Sequence, residues 1–410
     1  MISKLFHIVL FLLLLGTFGC RKTLEGVSTR SDYFVKFIGD SFDQEGAQVI
    51  ENVDGTLFVI GTTTPVEARQ EIYLVKSQVN GDVIWTKTYS VEDRNCLGAS
   101  LQFTEDGGLI LLGTSVEKEG VDAELLLIKT TIDGVEEWRE NHNVANKLDY
   151  GTYVHVLQDG SGYLILGYSD DGLGNSNIIW AKTSINGDVE GNQSTWYKIK
   201  KGIGFNEARK VLEWDGKYVI VGSSTENPDS DITQSGVNAI VFIAYPNGDL
   251  GSKKTFGGTG ADDYGYDIKE MPNGNFVVLG STASQAQAGG RDVFIVELEG
   301  SPIMDPIDGV YHTFGESNDD RGYSMVVNSD NSITACGRSD KSDGLVDMFV
   351  FKTDSELNQQ WYQKIGTKNE ETAVSIIQVA DGGYLTTGTA GIDKNKMISL
   401  IKITANGELK

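Results

Sequence analysis

One pattern recurs seven times along this chain of 410 residues: a polar turn, a short apolar run and a closing glycine. The copies run from Asp54-Gly55 to Gly61, Asp106-Gly107 to Gly113, Asp159-Gly160 to Gly167, Asp215-Gly216 to Gly222, Asn273-Gly274 to Gly280, Asp330-Asn331 to Gly337, and Asp381-Gly382 to Gly388. The closing glycines lie 51 to 58 residues apart. Length alone would suggest two or three domains, but repetition at this period points to one unit stacked on copies of itself.

Each copy carries four strand signals. One precedes the turn (Ala99–Phe103) and one follows it (Leu109–Leu112). The third is apolar and often ends in Lys (Leu125–Lys129), and a second tight turn such as Asp133-Gly134 leads to a fourth, which carries Trp85, Trp138, Trp196 or Trp361. Asp-Gly and Asn-Gly suit two-residue hairpins, which need positive φ. The expectation is an all-β, seven-bladed β-propeller with four antiparallel strands per blade, because a small sheet buries both faces only by packing on neighbours in a ring. The seventh copy ends before its fourth strand, and Tyr33-Phe34-Val35-Lys36-Phe37-Ile38-Gly39 matches Trp361-Tyr362-Gln363-Lys364-Ile365-Gly366. The N-terminal strand is therefore expected to close the last blade. The recurrent Trp residues read as packing between blades. Trp180 and Trp214 stand outside the pattern, and Trp214, beside its turn, is a candidate contact residue.

The propeller is assigned to residues 33–410. Ahead of it, Lys4, the apolar run Leu5–Leu15 and Gly19-Cys20 form a secretory signal over 1–19, too short to be a spanning helix. It resembles a bacterial lipoprotein signal, which implies lipidation of Cys20, a tether over 20–32 and a membrane partner through the lipid. The absence of Asp after Cys20 implies, by the same resemblance, the outer membrane. Thr255-Phe256-Gly257-Gly258, Asp262-Asp263, Asn273-Gly274-Asn275-Phe276 and Asp292-Val293-Phe294 resemble the bacterial seven-bladed β-propeller repeat family, as found in Bacteroidota exported lipoproteins. Removing residues 1–19, with the single cation Lys4, takes the net charge from −24 to −25, which disfavours nucleic acid as a partner.

Candidate site residues come from the crossovers between copies. The position two residues before the small residue of the first strand holds Gln44, Cys96, Asp149, Asn206, Asp263, Asp320 and Glu371, with Asp262, Asp319 and Glu370 as acidic neighbours. A polar ring around the channel mouth is one reading, able to hold a divalent cation such as calcium or a cationic ligand. The other is that each side chain caps amides of its own crossover. No other cofactor is implied. Cys96 and Cys336 fall in distant copies and are expected as free thiols.

The short turns lie on one face. The crossovers and the variable loops 223–237, 281–291 and 338–346 lie on the other, where a protein or glycan partner is expected. With no recognisable nucleophile–base set, the leading expectation is a non-catalytic binding or scaffolding lipoprotein. The alternative is an extracellular glycan-active enzyme with carboxylates at the channel mouth.

Overall fold

Strand formation follows the burial pattern of the sequence. Second strands such as Leu57–Thr64 and Leu109–Glu117 are apolar on both faces and almost wholly buried, whereas the outer strand Val83–Tyr89 buries only Tyr89. The computed structural model describes residues 33–65, 69–225, 236–258, 260–300 and 306–409. The signal sequence, Cys20 and the whole tether fall outside the described residues.

The described residues are all-β, with no helix. Their strands form five four-stranded antiparallel sheets and one of eight strands. The eight-stranded sheet joins two neighbouring copies through a single parallel bridge, Leu148↔Ala123. Each copy runs up and down from an inner strand. The inner strands are Asp43–Glu51, Arg94–Phe103, Leu148–Val156, Asn206–Trp214, Asp263–Glu270, Asp320–Val327 and Glu371–Gln378. They begin earlier than the sequence suggests, because the crossover residues themselves pair: Asn206 lies opposite Ser224 and Asp263 opposite Thr282.

The turns also differ from expectation. At Asn52–Thr56 only Gly55 has positive φ (81°), and its N–H donates to Asn52 O at 2.8 Å. This is a type I turn closed by a left-handed glycine. Asp215-Gly216, with φ of 47° and 66°, is instead a two-residue hairpin joining paired Trp214 and Lys217.

The cores lie between successive sheets. Leu166 and Trp180 of one sheet pack with Ile220 and Phe242 of the next. Each outer Trp sits under the second glycine turn of the following copy: a Cβ on Gly187 would stand 2.7 Å from Trp138, and one on Gly407 2.7 Å from Trp361. Phe34 holds the same place under Gly81. Phe34–Ile38 pairs antiparallel with Asn395–Ile403, from Phe34↔Lys402 to Ile38↔Ile398. Phe34, Ile398 and Leu400 share a core with Val49 and Val59 of the first copy. Cys96 and Cys336 are buried and unpaired, as expected. Trp214 is half-buried and packs edge-on against Phe276 at 5.3 Å, so it is largely occupied with packing.

Candidate functional site

The crossover residues do not converge on the channel. Gln44, Asp149, Asn206, Asp263, Asp320 and Glu371 are each at most 2% exposed and tie down their own crossovers. Asp149 Oδ2 accepts from the amides of Val144 (2.6 Å) and Ala145 (2.9 Å). Asp263 accepts from Gly258, Ala283 and Ser284. Asp320 takes the Glu316 amide at 2.7 Å and Glu371 the Thr367 amide at 3.0 Å. Asn206 donates to Ser176 O, and Gln44 accepts from Asp40 N–H. Burial raises the carboxyls of Asp149 and Asp320 although these amides oppose it. Among the neighbours, Asp262 accepts from Val237 N–H, Asp319 lies 3.4 Å from Arg321, and the Glu370 carbonyl accepts from Gly391 N–H. Among the described residues no three His, Cys, Asp or Glu side chains lie close enough to hold a metal ion. The geometry is that of caps.

One cavity is lined by a different set. Every inner strand carries one bulge, directly after the small residue that faces the closing glycine. The crowding explains that glycine: a Cβ on Gly222 would overlap the Glu207 carbonyl oxygen. A bulge puts an extra residue into the strand and re-aims its side chain. The bulged residues are Ala47, Ala99, Thr152, Arg209, Tyr266, Tyr323 and Val374, and all seven line one cavity of about 570 Å³. Among these bulged residues the large polar side chains, Arg209, Tyr266 and Tyr323, come from consecutive copies, and those of the next three, Val374, Ala47 and Ala99, are small and apolar.

Arg209 of the cavity wall forms an ion pair at 2.6 Å with Glu207, which does not itself line the cavity. The Glu207 side chain is 2% exposed, while that of Arg209 is 40% exposed, into the channel. Glu207 Oε1 and Arg209 Nε are buried without a hydrogen-bond partner. Burial works against the Arg209 charge, but Glu207 more than offsets it and the guanidinium stays protonated. The Tyr266 ring lies 5.8 Å from Arg209, stacks on Tyr264 at 6.2 Å and meets Tyr323 edge-on at 5.0 Å. On the other flank Tyr150 and Tyr168 stack at 5.1 Å. Burial, with smaller contributions from Tyr323 for Tyr266 and from Glu207 for Tyr168, pushes both phenols up to about 12, so both are proton donors at neutral pH. Arg291 covers Tyr264 at 5.0 Å, while Arg321 and Arg338 occupy opposite positions on paired strands beside Tyr323. A carboxylate with a free oxygen, the Arg209 guanidinium and protonated phenols can accept a proton, donate one and stabilise developing negative charge. The phenyl faces offer flat amphipathic platforms.

No family model and no curated protein matches the sequence, but solved structures match over nearly its whole length. An α-L-arabinofuranosidase, Arb93A from Fusarium graminearum, aligns over 92% of this chain and 98% of its own, with a TM-score of 0.50 and 10% identity. A polysaccharide lyase, an ulvan lyase bound to -[GlcA(1-4)Rha3S]-, aligns over 91% and 97%, with a TM-score of 0.53 and 9% identity. A puromycin hydrolase aligns over 84% of this chain and 50% of its own, with a TM-score of 0.52 and 12% identity. At such identities the likeness is one of fold, and the fold is a propeller-type all-β architecture. The expectation of a non-catalytic scaffold is corrected here. It rested on the lack of a recognisable catalytic set, yet two of the chains that share this fold from end to end are an arabinofuranosidase and a polysaccharide lyase, and the cavity wall carries an arginine and several phenols.

Proposed function

We propose that this chain is an exported glycan-active enzyme whose reaction takes place on the Arg209–tyrosine wall of the channel, beside the buried Glu207. One observation carries the reading: Arg209 lines a cavity large enough for sugar units together with Tyr150, Tyr168, Tyr266 and Tyr323, and its buried partner Glu207 keeps Oε1 without a hydrogen-bond partner. Buried polar groups are normally satisfied, so an open carboxylate oxygen paired to a cavity-lining arginine calls for an explanation, and a catalytic role supplies one. The tyrosine rings take the sugar faces. Glu207 accepts a proton, Arg209 holds its carboxylate in place, and the Tyr168 and Tyr266 phenols donate to the departing or developing oxygen. The activities of the arabinofuranosidase and the ulvan lyase lend this reading support by analogy of fold.

The purified chain, incubated with a panel of neutral and acidic polysaccharides, should release new ends from at least one, read as reducing sugar and as the ultraviolet absorbance of unsaturated uronate. Glu207→Gln should slow release by roughly 100-fold or more, the usual weight of an acid–base group. Retention of full activity by Glu207→Gln removes the assignment.

The wider architecture belongs to the same proposal. The fold is a closed propeller of seven blades, supported by the seven bulged residues around one cavity and by the pairing of Phe34–Ile38 with Asn395–Ile403. Cys20 carries lipid and holds the body at the outer membrane, with the glycan approaching from the loop face. Cys20→Ser should move the protein from the membrane to the soluble fraction, and a variant that still sediments with membranes at high salt contradicts the anchor.

A further inference from the structure

Like charges set directly opposite each other on paired strands destabilise a sheet. Arg321 and Arg338 do this: they are register partners between Asp320–Val327 and Ile333–Asp340. The corresponding pairs elsewhere are Tyr150↔Tyr168, Glu207↔Ser223, Tyr264↔Ser281, Glu45↔Thr62, Leu97↔Thr114 and Thr372↔Thr389, none of them a like-charged pair. Each arginine has one acidic neighbour, Asp319 at 3.4 Å from Arg321 and Asp340 at 2.6 Å from Arg338. Tyr323, two residues along the strand from Arg321, lines the cavity, and both positive charges act on its phenol. Tyr266, edge-on to Tyr323, lies under Arg209, whose Nε is unpartnered. A chain of net charge −24 has nine arginines and gathers four of them, Arg209, Arg291, Arg321 and Arg338, about one run of tyrosines. The surface as a whole repels polyanions, so this placement acts locally.

We propose that Arg321 and Arg338 form a subsite for an anionic group on the glycan, a carboxylate or a sulfate ester, so that the substrate is an acidic polysaccharide. This rests on the glycan reading above. An anion set between the two guanidiniums relieves their repulsion and takes charge-assisted hydrogen bonds from both, the geometry for which arginine is suited.

The test measures binding by titration calorimetry, and cleavage by release of ends, with two matched pairs of probes: polygalacturonate against its carboxyl-reduced form, and dextran sulfate against dextran. The charged member of one pair should bind at least tenfold more tightly than its neutral counterpart, and which pair responds distinguishes carboxylate from sulfate. Arg321→Gln/Arg338→Gln should weaken the charged probe roughly 10- to 100-fold, the weight of lost charge-assisted hydrogen bonds. It should leave the neutral probe unchanged and melt no lower than the parent. Charged binding that depends on the arginines but brings no cleavage upholds the subsite and removes the enzyme. Cleavage of neutral chains, unaffected by the double substitution, removes the subsite and leaves the enzyme. Equal binding of charged and neutral probes, or no binding of either, overturns the proposal.

Discussion

Replacing Arg209 by Gln tests whether the Glu207–Arg209 pair is the electrostatic centre of the channel wall. The Glu207 side chain is 2% exposed and its Oε2 rests on Arg209 at 2.6 Å, while Oε1 has no partner. Removing the arginine strands a carboxylate out of water. Breaking a buried pair in this way costs about 3–5 kcal/mol. Because Arg209 is itself 40% exposed to channel water, the lower end applies, about 3 kcal/mol. An unfolding entropy of about 2 cal/mol/K per residue gives roughly 0.8 kcal/mol/K for a body of this length, so Tm should fall by about 4 °C. Glu207→Gln is different, since it removes the buried charge and leaves the exposed one, and its cost should stay near 1 kcal/mol or below. The double variant Glu207→Gln/Arg209→Gln should recover most of the loss. Differential scanning calorimetry on the four proteins, with glycan turnover alongside, reads both effects. Turnover should be lost in all three variants, whatever their Tm. An Arg209→Gln protein that melts like the parent, or a Glu207→Gln protein that melts lower than Arg209→Gln, refutes the reasoning.

Three further outcomes follow from the geometry. His142 is buried, with Nδ1 2.7 Å from the Tyr197 hydroxyl and Nε2 unpartnered, and burial pushes it down to about 4; the stability this contributes is present above pH 6.5, is lost as pH falls through 4, and amounts to roughly 3 kcal/mol, so His142→Gln should flatten the fall in Tm between those pH values. Gly222→Ala drives a Cβ into the Glu207 carbonyl, so it should cost about 1–3 kcal/mol and lower turnover with it; unchanged turnover would separate the closing glycine from the site. Deleting residues through Gly39 removes the strand on Asn395–Ile403 and uncovers an edge, so its melt should broaden and shift down, and a melt like that of the intact chain contradicts closure through that strand.

Much of the architecture could be read from the residues because each recurrent signal has a single physical cause. The closing glycines repeat because the bulge opposite leaves no room for a Cβ, and the outer tryptophans repeat because each fills the space under a neighbour's glycine turn. The site was harder to read for the same reason. The acidic crossover column, with Asp149, Asp263 and Asp320, stood out by residue type, but its regularity marked a structural task repeated in each copy. The wall residues occupy the column just after Gly46, Gly98, Gly151, Ala208, Gly265, Gly322 and Ala373, which reads Ala, Ala, Thr, Arg, Tyr, Tyr, Val. Two-residue alternation does not place them, since each is the extra residue of a bulge and points where a regular strand would not send it. The available signal was that a column so variable lies among columns so constant.

The most direct measurement of the central claim is a crystal structure of Glu207→Gln soaked with an oligosaccharide of whichever polysaccharide the parent protein cleaves. The account predicts sugar in the channel, with rings against Tyr266 and Tyr323 and an oxygen within hydrogen-bond reach of residue 207. Sugar bound only at the short-turn face, away from Arg209 and the tyrosines, would contradict it.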